Sequence, residues 1–342
     1  MDKIRKILLV RPHVYIRDAQ AITDINVFFP PVGLALLSAV LKENNYNVTV
    51  KDMHEDTWNE VISYFDSNKF DVVGITCFTG QHFNSFRLAE IAKNKMDPKP
   101  ITILGGPHPS AKPIDIQIIS HYSQIDFIIR GEGEKTIVEL LAKLNSGEDL
   151  EIVKGITFSK NEKFLRTPDR ETIENLDSLP FPDYSFLDFS KTETLNDGRL
   201  SGYKHGKGFR FAPIISSRGC PNKCQFCGIF LGKNVRFRSP ENVVNEIESL
   251  YLNKKVNHFT FVDDCFNAAL PRAQKICALI LERKLLITWT AIARVKPISE
   301  DFLKLVKKSG CLAFNFGIES GSKKILQSIG KNIVIDDVIK TF

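Results

Sequence analysis

No apolar run in the 342-residue sequence is long enough to span a bilayer, most segments mix charges of both signs, and no loop matches a Walker or dinucleotide fingerprint. The first absence argues against a helical membrane protein. The opening MDKIRKILLV is basic and then only briefly apolar before RPH interrupts it, which is too short and wrongly flanked for a secretory signal. The formal charge of +6 is dispersed, with Lys and Glu interleaved, so the charged positions read as solvated faces and no nucleic-acid partner is expected. Without a phosphate loop, a nucleoside triphosphate is a poor ligand. The expected location is cytoplasmic and reducing, where seven cysteines serve as ligands or core residues and not as disulfides.

What is present is the composition of a soluble globular protein, 43% hydrophobic and 25% charged, with length enough for two domains. Residues 1–146 alternate β-rich apolar runs with helix-patterned stretches five times: KILLV, NVTVKD, DVVGIT, ITILGG and DFIIRG. That alternation predicts an α/β, flavodoxin-like or Rossmann-like doubly wound domain whose ligand crevice lies at the carboxyl ends of its strands. Glycine-bearing loops follow strands three, four and five (GITCFTGQHF, GGPHPSAKP, RGEGE). Each alone is explained by a tight βα turn; three on one rim point to a large ligand.

Residues 147–211 read as a linker with a hairpin at GITFSKNEKFLRT, a Pro- and aromatic-rich stretch LDSLPFPDYSFLDF, and the segment NDGRLSGYKHGKGFRF (196–211), either a phosphate-contacting loop or a flexible one. From 212 to 342 the alternation resumes over four βα units, a partial TIM-type barrel; Ser239 before Pro240 is an expected helix N-cap. A complete barrel takes about 250 residues, so the 131 residues from Ala212 suggest a C-terminally truncated chain.

The cysteine pattern is the sharpest signal. SSRGCPNKCQFCGIF carries Cys220, Cys224 and Cys227 at the end of the first barrel strand. Zinc sites commonly draw on two separated cysteine pairs, and no second pair stands at a useful spacing. Three thiolates on one loop suit three irons of a cubane and leave the fourth open. Cys77, Cys265, Cys277 and Cys311 lack the pattern and read as small core residues, with Cys265 closest to the rim.

The C-x3-C-x2-C spacing, with Phe226 before the third cysteine and a β-strand before the first, strongly resembles the radical S-adenosylmethionine enzymes. The resemblance implies a 4Fe-4S cluster on the three cysteines, with S-adenosylmethionine on the open iron. Reductive cleavage there yields a 5′-deoxyadenosyl radical. Three further strand ends are similar to the family: FVDDCF, where Asp263 and Asp264 would face the S-adenosylmethionine; AIAR, where Arg294 would pair with its carboxylate; and FGIESG, where Glu319 would reach its amino or ribose groups. The alternative is that the acids are helix caps.

The front domain resembles the cobalamin-binding domain that precedes the radical domain in a large subfamily, through PPVGLALLSAVLKENNYNVTVKD, GGPHPSAKP and DFIIRGEGEKTIVELL. The resemblance implies that Thr76, Thr79, Gly105 and Gly106 lie near the nucleotide tail and that His108 packs over the corrin or its tail. DMHEDT echoes the D-x-H-x-x-G that places a histidine on cobalt in other cobalamin proteins. Thr57 replaces the glycine and the segment follows strand two, so His54 reads as a loop histidine, which agrees with the base-off cobalamin lacking a protein imidazole that the resemblance implies. The implied reaction is methyl transfer from methylcobalamin to an unactivated carbon of a small-molecule substrate, a second S-adenosylmethionine restoring the methyl group. A ferredoxin or flavodoxin would supply electrons. The alternatives are a non-methylating cyclisation or rearrangement, and a non-catalytic cobalamin-binding fragment.

Overall fold

The computed structural model describes residues 3–13, 29–194, 209–228 and 231–342. The chain divides into two compact units. The first comprises Met1–Ile22, Pro31–Ile173 and Pro180–Phe186; the second comprises Thr23–Pro30, Glu174–Leu179 and Leu187–Phe342. Residues 196–208, with most of the basic segment considered above, lie outside the described residues.

In the first unit β1 (Lys6–Arg11), α1 (Val32–Glu43), β2 (Asn47–Asp52), α2 (Trp58–Ser67), β3 (Val72–Thr76), α3 (His82–Lys95), β4 (Ile101–Gly105), α4 (Pro107–Ser110), α5 (Ile114–His121), β5 (Phe127–Ile129) and α6 (Gly133–Ser146) follow in order. The five strands pair in parallel in the order β2-β1-β3-β4-β5, the flavodoxin-like arrangement. Strand side chains alternate faces, so each strand feeds two cores. Leu8, Val10, Val73 and Leu104 pack with Phe65, Phe86 and Ile118 of α2, α3 and α5. Ile7, Leu9, Val72 and Ile103 pack with Leu34, Leu41 and Leu140 of α1 and α6. Each fully buried Leu, Ile or Val there contributes about 1.5–3 kcal/mol. Burial on both faces is why these strands read as continuous apolar runs.

The hairpin assigned to a linker instead completes this sheet. β6 (Ile156–Lys160) pairs antiparallel with β5, and β7 (Lys163–Arg166) with β6. Its two-residue turn places Asn161 and Glu162 at φ 51° and 60°, the left-handed conformation of a type I′ turn. Without β6, the short buried strand β5 would end the sheet with unpaired backbone groups. Arg130, directly after β5, locks the addition: its guanidinium donates to Thr157 Oγ1 (2.5 Å) and to the Thr167 carbonyl (2.6 Å). Asp115, fully buried, accepts from Thr157 Oγ1 (2.8 Å) and Arg166 Nε (2.7 Å).

The Pro- and aromatic-rich stretch is likewise pinned. Asp183 accepts from Ser38 Oγ (2.9 Å), Lys42 Nζ (2.6 Å) and the Ser185 amide (2.9 Å). Burial opposes ionisation, but bonds from Lys42, Ser185 and Ser38 outweigh it and hold the carboxyl at about 2. A carboxyl depressed in the folded state contributes stability that is full above its unfolded value near 4 and is lost as pH falls towards 2. The urea midpoint of wild type should therefore fall more steeply below about pH 4 than that of Asp183→Asn; parallel curves would refute the assignment.

The second unit holds β8 (Phe211–Ile214), β9 (Ser217–Arg218), β10 (Arg236–Phe237), α7 (Pro240–Lys254), β11 (His258–Phe261), α8 (Leu270–Glu282), β12 (Thr288–Ala293), α9 (Glu300–Lys308), β13 (Cys311–Phe316), α10 (Lys323–Ser328) and α11 (Ile335–Thr341). β8, β11, β12 and β13 lie side by side in sequence order, all parallel, with helices between them, which is the winding of a partial TIM-type barrel. Ser239 caps α7 through the Asn242 amide, with Pro240 as the first helical residue. Trp289 is enclosed by Phe261, Phe266 and Phe314 at ring separations of 5.2–5.9 Å, and its indole N–H donates to the Ser309 carbonyl (3.0 Å). Among the described residues, no helix is long and apolar enough to cross a membrane.

Candidate functional site

In the second unit, the chain leaves β8 and enters a loop closed at its base by β9 pairing antiparallel with β10. The loop turns at Gly219 (φ +91°), where a Cβ would stand 2.6 Å from the Asn234 carbonyl oxygen. The Cys220 amide donates to the Gly232 carbonyl (3.3 Å), the Cys227 amide to Cys224 (3.2 Å) and the Gln225 amide to Ile329 (2.9 Å). Short-range spacing therefore places the three cysteines on one loop, and backbone bonds hold that loop to itself and to the end of α10.

Cys220, Cys224 and Cys227 line one cavity of about 180 Å³. Asp264, Arg294 and Glu319, from the ends of β11, β12 and β13, line the same cavity, and so does Phe226. Among the described residues, no three His, Cys, Asp or Glu side chains stand in metal-holding geometry, so the thiols share a wall and not a coordination shell. The donor set nevertheless suits an iron-sulfur cubane: three thiols on one loop, facing a common space, with charged groups opposite.

Each charged group has an identifiable support. The Asp264 carboxyl is raised by desolvation, opposed by the Gly219 amide and reinforced by Asp263. Arg294 is held through its backbone: fully buried Asn267 accepts from the Arg294 amide (2.9 Å) and donates to the Arg294 carbonyl (2.8 Å). Glu319 adopts φ 69° and pairs with Lys331 at 3.0 Å. Gly317 makes room for that pair, since a Cβ there would stand 2.8 Å from the Glu319 carboxylate and 3.1 Å from the Lys331 ammonium. The ammonium also stands 5.8 Å from the centre of the Phe226 ring. Two cations and two carboxylates around one space suit a zwitterion.

Asp263 differs from the sequence expectation. It is 1% exposed and does not line the cavity. It accepts from the Ser216 and Ser217 amides (2.7 and 2.9 Å) and from the Ser216 hydroxyl. Neighbouring residues at a strand end face opposite ways, so only one of the two aspartates meets the cavity. Lys331 and Asn267 were missed by sequence reading because no local motif announces them. Of the remaining cysteines, Cys77, Cys265 and Cys277 are buried, and burial pushes their thiols up to about 12, 11 and 11. Cys311 is half-buried and is also shifted upward by burial.

In the first unit the expected residues gather at the ends of β3 and β4. Gly106 has φ +110°, and a Cβ would stand 2.7 Å from the Cys77 carbonyl oxygen, so this crossing admits only glycine. The Gly105 carbonyl accepts from the Cys77 amide (2.7 Å), and the Thr76 carbonyl from Ser85 (3.2 Å). Thr79 Oγ1 bonds His108 Nδ1 (3.3 Å), and the His108 ring lies 4.9 Å from that of His82. Burial, then the neighbouring His82, lowers the His108 pKa. Phe78 and Phe83 project beside them, 52% and 70% exposed. A glycine crossing flanked by exposed aromatics and imidazole rings suits a broad, flat, largely apolar ligand such as a corrinoid.

His54 stands apart, at the end of β2, with Nδ1 3.2 Å from Asp52 and Nε2 3.5 Å from Glu55. Thr57, which replaces the motif glycine, caps α2 in a capping box with Glu60.

Comparison with known proteins agrees with both halves. Residues 21–141 match the B12 binding domain family and residues 214–342 the radical SAM superfamily. The chain is 33% identical to an uncharacterised methyltransferase of Pyrococcus horikoshii, over 99% of this chain and 71% of that protein. It is 28% identical to the anaerobic magnesium-protoporphyrin IX monomethyl ester cyclase of Rubrivivax gelatinosus, over 97% of this chain and 58% of that protein. The solved structure of the cobalamin-dependent S-adenosylmethionine radical enzyme OxsB, with aqua-cobalamin and S-adenosylmethionine bound, superimposes with a TM-score of 0.80 at 21% identity, over 99% of this chain and 47% of that one. The chain thus spans about half to seven-tenths of the length of these relatives.

Proposed function

Because this chain belongs to the family of enzymes that join a B12-binding domain to a radical S-adenosylmethionine domain, we propose that it cleaves S-adenosylmethionine reductively and transfers a methyl group to an unactivated carbon. The observation that carries the reading is the shared cavity of Cys220, Cys224 and Cys227 with Asp264, Arg294 and Glu319. When bound, the cluster would supply the electron that cleaves the sulfonium to a 5′-deoxyadenosyl radical, and cobalamin the methyl carrier. The three thiols would hold the cluster. Arg294 and Lys331 would receive the carboxylate of S-adenosylmethionine, and Glu319 its ammonium or ribose hydroxyls, so that binding exchanges the Glu319–Lys331 pair for contacts to the ligand. Asp264 would bond a further donor of the same ligand. The ends of β3 and β4, with Thr76, Thr79, Gly105, Gly106 and His108, would hold the cobalamin tail and face. Electrons would come from a small ferredoxin or flavodoxin, and the substrate would be a small molecule.

The test uses the anaerobically reconstituted chain with cobalamin, a reductant and methyl-labelled S-adenosylmethionine. Label entering the corrinoid, together with 5′-deoxyadenosine formation, is the expected result. The similarity to a cyclase favours one second reading, a non-methylating radical reaction on the same scaffold. 5′-Deoxyadenosine with no label leaving S-adenosylmethionine would select it. Neither product would overturn both.

A further inference from the structure

His82 opens α3, just after the turn that leaves β3. Its Nδ1 stands 2.6 Å from the Thr79 carbonyl oxygen. A carbonyl oxygen only accepts, so Nδ1 carries the hydrogen and the neutral ring keeps its lone pair on Nε2. Nε2 has no hydrogen-bond partner among the described residues and is not among the buried, unsatisfied atoms. An imidazole aimed by an Nδ1–H bond to a backbone carbonyl, with Nε2 open, is how metal-ligating histidines are held.

The surroundings favour a flat, apolar group over a bare ion. The Phe83 ring centre lies 3.9 Å from that of His82, and the strongly exposed Phe78 and Phe83 offer apolar surface beside it. The His108 ring lies 4.9 Å from that of His82 and adds a further flat surface on the same side. The other histidines near these strand ends offer less access. His54 faces carboxylates from both nitrogens. His13 bonds the His54 carbonyl through Nδ1 (2.8 Å), and its Nε2 is unpartnered but buried, without the open face that His82 Nε2 has.

We propose that Nε2 of His82 is an axial nitrogen ligand to the cobalt of the bound corrinoid. The inference rests on the cobalamin reading above. It replaces the D-x-H segment after β2 with the first turn of α3 as the source of the imidazole, in a chain whose sequence suggested none.

The test is electron paramagnetic resonance of the full chain loaded with aquacobalamin and reduced to the cobalt(II) state. Retention of cobalamin through gel filtration is established first. The expected spectrum shows each resolved cobalt line split into three by one nitrogen. Growth on histidine labelled with the spin-half nitrogen isotope should turn those triplets into doublets. His82→Ala should abolish the splitting while cobalamin is retained, and His108→Ala should preserve it. Cobalamin retained without nitrogen splitting would overturn the inference and leave the function standing. So would splitting unaffected by labelled histidine, which would come from the cofactor's own benzimidazole, or splitting lost in His108→Ala instead. Failure of wild type to retain cobalamin would overturn the front-domain reading and this inference with it. The isotope experiment needs no variant, so a folding defect in His82→Ala cannot rescue the idea.

Discussion

Cys224→Ala is expected to reduce 5′-deoxyadenosine formation to the protein-free background. A cubane anchored by three thiolates loses a third of its protein ligands when one is removed, and no other cysteine is placed to substitute. Among the remaining thiols none lines the cavity, and Cys265 and Cys277 are buried away from it. Iron and sulfide content should fall with activity, whereas the fold should survive, because the loop is held by backbone bonds from Cys220, Gln225 and Cys227. Cys277→Ala, in the buried face of α8, serves as the control and should keep cleavage. Undiminished cleavage in Cys224→Ala would end the cluster assignment.

The second large effect is expected at Asp263, and it lies in stability and not in ligand affinity. Its carboxylate satisfies two buried backbone amides and one hydroxyl at Ser216 and Ser217. Arg272 holds the Ser216 carbonyl from the other side (2.6 Å). Burial raises the Asp263 carboxyl, against the pull of Ser216 and the Arg272 charge. Removing the acceptor strands at least two donors, each costing about 1–3 kcal/mol, so Asp263→Ala should lose roughly 3 kcal/mol or more. The cluster loop begins three residues after Ser217, so iron loading should fall with it. Asp263→Asn keeps one acceptor oxygen and should lose less. Calorimetric affinity for S-adenosylmethionine, compared at equal iron content, separates the two roles. A stable variant with weakened affinity would return Asp263 to the cavity wall; an unstable one with unchanged affinity per loaded site is the expected outcome.

Much of this architecture was legible before any coordinate. Runs such as KILLV and DVVGIT betray strands buried on both faces, and the strand-end glycines signal positive φ or close approach, which Gly106 shows at φ +110° against the Cys77 backbone. The four parallel strands of the second unit likewise follow their apolar runs. Cys220, Cys224 and Cys227 could be assigned to one loop because their spacing is too short for anything else, and Arg294 and Glu319, named from the family resemblance of their strand ends, line the same cavity.

The misreadings have a common cause. The hairpin at 156–166 was placed in a linker because nothing within it reports that β5 lacks a neighbour; that need arises only once the sheet is assembled. Asp263 and Asp264 are chemically alike and adjacent, and only the pleat of the chain leaving β11 sends one to the Ser216 amides and the other to the cavity.

Local order, then, is written in the chain: periodicity and short spacing are properties of neighbouring residues, and backbone geometry translates them directly into strands, helices and a three-thiol loop. Partnerships across distance are not. Glu319 meets Lys331, Asn267 grips Arg294, and Thr79 meets His108 because folding juxtaposes segments whose side-chain directions depend on neighbours far along the chain.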